Sequence, residues 1–137
     1  MSLFRRYSIS FGIAGLFLYF FTIWVEKKNQ GKIPHNLSTK KNEKVSISLL
    51  QKRYHEKCVD LGKNNELEYG FNSDAKLSFN LHYHDEDGKI FIVNENLINN
   101  LENIFKPKER AYYCLMWINS AKKEVRINYF FKILNLK

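Results

Sequence analysis

Proline and glycine are scarce in this 137-residue chain, with two of the first and six of the second, and cysteine occurs only twice. No phosphate-cradling glycine loop is present. G-x-S-x-G and H-E-x-x-H are missing as well, so nucleotide, serine-hydrolase and zinc-protease chemistry have no motif to rest on. No internal repeat and no low-complexity tract interrupts the chain. What remains has the length of one ordinary domain and carries no enzyme signature.

Charge is absent from residues 8–25, which end in FGIAGLFLYFFTIWV. That stretch is about long enough to cross a hydrocarbon core as a helix. Arg5 and Arg6 precede it; Glu26, Lys27 and Lys28 close it. A cleaved secretory signal would end in small residues of the A-x-A kind, and Thr22-Ile23-Trp24-Val25 offers none. The reading is an uncleaved, single-pass signal anchor behind a tail of residues 1–7. Arg5 and Arg6 favour a cytoplasmic N-terminus, whereas Lys27, Lys28 and Lys32 argue the other way. The shortness of the tail and the two cysteines decide for a domain on the non-cytoplasmic side, periplasmic or extracellular.

The net charge is +8. Its basic residues are scattered except for a cluster within 27–44, and no nucleic-acid motif accompanies them. A basic segment beside a membrane span meets anionic headgroups or serves as a solvated tether. Residues 26–44 therefore read as a basic linker, with His35 solvated.

From Val45 onward the apolar residues recur with period two. Val45, Ile47 and Leu49 alternate with polar neighbours, as do Leu67, Tyr69 and Phe71, and then Leu77, Phe79, Leu81 and Tyr83. Residues 62–65 and Asn72-Ser73-Asp74 read as turns. Asp87-Gly88 is a hairpin signal before a return strand at 90–93. Residues 94–110 fit a short helix or a loop followed by a strand. Residues 111–119 (AYYCLMWIN) fit a central covered strand, and Val125, Ile127, Tyr129, Phe131 and Ile133 mark a last one. The expected fold is an all-β antiparallel sandwich of about seven or eight strands over residues 45–137.

His82 and His84 share one strand face, opposite Leu81 and Tyr83. Imidazoles two residues apart on a strand can share a metal, with oxygen from Asp85 or Asp87; zinc and copper are the candidates. The competing reading is a solvated outer face of Ser78, Asn80, His82 and His84 running into an acidic turn.

Cys58 and Cys114 form a disulfide if the domain lies outside the cytoplasm, and are two buried thiols if it does not. Cys114 and Met116 offer soft ligands for copper beside the histidines. Blue-copper loops, however, place a histidine between Cys and Met, and none follows Cys114. A catalytic Cys114 would need His82 or His84 turned inward as base.

The run Cys58…Gly62…Leu67-x-Tyr69-x-Phe71, with Tyr113-Cys114 and Asn119 later, resembles the GOLD (emp24-type) β-sandwich. In that family an early cysteine pairs with one in a late strand. Phe79-Asn80-Leu81-His82-Tyr83-His84 and Tyr113-Cys114-Leu115-Met116-Trp117-Ile118-Asn119 also resemble strands of small exported or membrane-anchored bacterial proteins. Together the matches cover roughly residues 50–133. The resemblance implies a sandwich and a Cys58–Cys114 disulfide. It implies no cargo sorting, since GOLD receptors carry their span after the domain and here the expected span precedes it.

The functional expectation is a membrane-anchored binding or scaffolding module without catalysis or nucleic acid. It would meet a protein or lipid partner through edge strands, with outward Phe130 as a contact. An envelope metal-binding protein using His82 and His84 is the alternative, and a Cys114-based enzyme a further one.

Overall fold

The computed structural model describes residues 33–136. The expected tail, anchor and first part of the linker lie outside these residues. Among the described residues there is no helix, hence none long and apolar enough to cross a membrane. Six strands are present: β1 (Asn42–Leu49), β2 (Tyr54–Leu61), β3 (Asn65–His84), β4 (Lys89–Phe105), β5 (Ala111–Ile118) and β6 (Val125–Asn135).

All pairings between these six strands are antiparallel, in the order β1-β6-β3-β5-β2 with β4 alongside β3. The 20-residue β3 organises the fold. Asn65 to Ser73 pair with β6, Ser78 to Tyr83 pair with β5, and β4 follows both stretches on the other side. The two halves of the sheet face each other. Trp117 on β5 stacks on Tyr129 of β6 at 4.5 Å although those strands do not pair, and His55 Nε2 on β2 lies 3.1 Å from the Tyr129 hydroxyl.

Alternation explains what fills the space between the halves. Leu67, Tyr69, Phe71, Leu77, Phe79 and Leu81 of β3 are buried on one face, joined by Val59, Leu115, Ile127 and Phe131. Burying a side chain of this size is worth about 1.5–3 kcal/mol, and no local propensity term competes with that.

The strand count is six rather than seven or eight because two expected breaks do not occur. Asn72-Ser73-Asp74 is not a turn. Ser73 pairs with Ile127, the Arg126 N–H donates to Asp74 Oδ1 at 3.0 Å, and the polar residues mark a register irregularity inside β3. Residues 94–105 are neither helix nor loop. They continue β4, because β3 offers a partner edge on both sides of its irregularity at 73–76 and because Ile98, Leu101 and Phe105 pack against the core.

The linker boundary also moves. The Ser38 N–H donates to Cys58 O at 2.8 Å, the Cys58 N–H donates to Asn36 O at 3.0 Å, and β1 begins at Asn42 rather than Val45. Residues 36–38 thus find backbone partners along the otherwise open side of β2, while Lys41 O accepts from the Ile133 N–H of β6.

The two expected turns that do form have local causes. At 62–65 the Gly62 N–H donates to Asn65 Oδ1 at 2.7 Å. At the β3–β4 hairpin Asp85 Oδ1 accepts from the backbone N–H groups of Asp87 and Gly88, both at 2.9 Å. Gly88 there has φ +136°, a conformation other residues rarely adopt.

Candidate functional site

The outer face of the half built from β2, β5 and β3 carries the chemistry. Cys58 pairs directly with Cys114, and Cys114 with His82, so three strands place these residues in one row. Cys58 and Cys114 form a disulfide. That removes the thiol a Cys114 nucleophile would need, and the thiolate a copper site at Cys114 and Met116 would need. Met116 Sδ instead lies 3.9 Å from Lys89 Nζ.

His82 does lie opposite Leu81, as alternation requires, but it is not solvated: its exposure is 0%. It sits in the row of the disulfide, with the Phe91 ring 6.0 Å away on β4 and the His84 ring at 5.1 Å. A polar face next to a disulfide and a neighbouring aromatic is a covered face. His84 remains exposed.

His82 Nδ1 is 2.7 Å from the amide oxygen of Asn80, itself buried. An amide oxygen only accepts, so Nδ1 carries the proton and Nε2 the lone pair. That Nε2 is 3.3 Å from Glu56 Oε1 on β2, but it has no hydrogen-bond partner among the described residues. Burial, then the nearby Lys89, then His84 push the His82 pKa down to about 4, so the ring is neutral at pH 7.

Glu56, His82 and His84 bring one ligand atom each to within 4.8 Å of one another. Asp85 and Asp87 are not in this group. Asp85 is engaged by the hairpin amides, and Asp87 is exposed in the same turn. Glu56 and Asn80 were not legible as site residues. The signal for Glu56 was the cysteine pair: once Cys58 lies directly across from Cys114, Glu56 shares its face two residues away. An open depression of about 360 Å³ lies over Glu56 and His84, rimmed by Lys52, Arg53, Tyr54 and Lys89.

His55 and Phe130 have structural places. His55 is packed between Trp117 and Tyr129, its pKa lowered chiefly by burial and next by Lys57. Phe130 is half-buried, not freely presented: its ring lies over Gly70, which leaves the space for it by having no side chain.

A second feature is the edge formed by β4. Among the described residues β4 pairs only with β3, leaving its other side open. Ile90, Phe91 and Ile92 are consecutive and exposed, Phe91 to 50%. Farther along, the strand is interrupted at Leu97, whose φ is 56°.

No family model matches the chain, and no curated protein does. Solved structures do. The pre-peptidase C-terminal domain of a collagenase from Bacillus anthracis matches with a TM-score of 0.53 at 12% identity, over 76% of this chain and 100% of that one. PliG of Salmonella Typhimurium, a periplasmic inhibitor of g-type lysozyme, matches with a TM-score of 0.50 at 8% identity, over 77% of this chain and 96% of that one. At such identities the likeness is one of fold. Neither is a GOLD domain, so the resemblance to that family gains no support from these comparisons.

Proposed function

We propose that this chain is a membrane-tethered, extracytoplasmic binding module without catalysis, and that residues 90–94 of β4 accept an extended segment of a partner protein as an added strand. The observation that carries this is the run Ile90-Phe91-Ile92, exposed on a strand whose outer backbone edge is open among the described residues. Soluble domains usually blunt such edges with Lys, Pro or a bulge. Here β4 carries a bulge at Ile92, between the Phe91–His82 and Val93–Leu81 pairs, and a second irregularity at Leu97, yet the side chains of residues 90–92 stay exposed beside the open edge. Backbone pairing would supply affinity, and the alternating apolar side chains would supply selectivity.

The disulfide supports an oxidising compartment. The uncharged stretch 8–25 supports a tether. PliG, similar in fold, is named as an inhibitor of a lysozyme, a role exercised on another protein.

Site-specific photo-crosslinking in cells that make the full chain tests the reading. A photoreactive residue at Ile92 is expected to give a discrete adduct that Phe91→Glu abolishes, while the same probe at exposed Leu50 gives none. An adduct of twice the chain's mass would make the occupant a second copy. No adduct from Ile92, or equal adducts from Leu50, would overturn the assignment.

A further inference from the structure

The geometry points to a metal site at Glu56, His82 and His84 that binds one divalent ion of the zinc(II) or copper(II) class. This does not depend on the β4 edge and would stand if that edge bound nothing.

Three observations carry it. The first is a buried lone pair without a donor. His82 Nδ1 is committed to Asn80, so Nε2 presents an acceptor to a carboxylate oxygen 3.3 Å away. Two acceptors facing each other at that distance repel, and Nε2 has no hydrogen-bond partner to compensate. A proton shared between them or a bound cation turns the arrangement into attraction, and a cation does so while both ligand atoms stay deprotonated.

The second is the spacing. With bonds of about 2.0–2.1 Å, two ligands of a tetrahedral zinc lie roughly 3.3–3.4 Å apart. The Nε2–Oε1 separation of 3.3 Å is that edge. The third ligand atom, from His84, lies within 4.8 Å of the others, and exposed His84 has the rotamer freedom to close the difference.

The third is the surrounding shell. Metal-bound imidazoles characteristically tie their other nitrogen to an oxygen acceptor, which fixes tautomer and ring plane; Asn80 does this for His82. Two nitrogens and one oxygen suit zinc or copper(II) rather than calcium or magnesium. Three protein ligands leave an open position, and the depression of about 360 Å³ over Glu56 and His84 gives a water or small anion access to it. Lys89, Lys52 and Arg53 on its rim favour an anion in that position, which would also offset their repulsion of the metal.

The experiment is calorimetric titration of the untagged, chelator-treated full chain with zinc chloride and, separately, copper(II) chloride. One ion per chain is expected. Glu56→Gln, which keeps shape and removes charge, and His84→Ala, which truncates an exposed side chain, should each weaken binding about tenfold or more. Asp85→Asn and Asp87→Asn should leave it unchanged. Copper(II) spectra should report two nitrogen ligands in the wild type and one in His84→Ala. Unfolding midpoints of Glu56→Gln and His84→Ala, measured without metal, establish that the variants are folded. Absence of stoichiometric binding to the wild type would overturn the site. So would binding that survives Glu56→Gln and His84→Ala, or that is lost in the Asp85 and Asp87 variants.

Discussion

His82 is uncharged at neutral pH because its ring is fully buried and Lys89 stands nearby, and this has a consequence for stability. Its folded pKa of about 4 lies below the unfolded value of 6.5, so the unfolded chain binds the proton more readily. Stability is therefore complete above pH 6.5 and falls as the pH drops toward 4. The loss attributable to this one ring is on the order of 3 kcal/mol. His55, whose pKa is also lowered by burial, acts in the same direction. In chelator-treated protein the urea midpoint should fall between pH 6.5 and 4, and His82→Gln should flatten that dependence while lowering stability at pH 7. An unchanged pH slope in the variant would show that the ring titrates normally. The identity of the histidines as notable residues was legible from their spacing. The burial of His82 was not, because it depends on Cys58 and Cys114, 24 and 32 positions away, and on Phe91, nine positions away, which only folding places in neighbouring strands.

Strands β3, β4 and β6 meet at Gly70, and the element depends on what that residue lacks. A Cβ there would come within 2.7 Å of Phe130 Cε1 and 2.8 Å of the Leu101 carbonyl oxygen. The first contact can relax by rotation of a ring; the second is backbone and must shift the β3–β4 pairing. Gly70→Ala should destabilise by about 1–3 kcal/mol. Adding Phe130→Ala should recover part of that loss, because only one of the two obstructions is removed. Denaturant midpoints of the two single variants and the double variant decide it; strict additivity would mean the ring and the glycine do not touch. The period-two pattern announced β6 and the two ends of β3, but placed a turn between those ends. It did not announce β4 beyond residue 93, since an edge strand with most side chains exposed has no apolar alternation to read.

At the scale of the molecule, one covalent link ties the chain across a separation of 56 residues. By loop-closure entropy it restricts the unfolded chain by about 4 kcal/mol. It also joins β2 to β5 and so holds Glu56 near His82. A Cys58→Ala/Cys114→Ala variant should lose stability of that order, read from denaturant midpoints beside the oxidised wild type. An equal midpoint would mean the sheet is held by packing alone. By itself, the sequence determined the all-β class, the inward face of each clear strand and the Asp87-Gly88 hairpin. These rest on alternation and turn chemistry, which act between near neighbours in the chain. Only the tertiary structure decided that β3 runs unbroken through its polar middle. The same is true of the pairing of residues 36–38 with β2, and of Glu56 rather than an aspartate of the hairpin facing the histidines. Those outcomes depend on which strand lies beside which, and pairing between distant segments is selected by the burial of the whole core rather than by any local stretch.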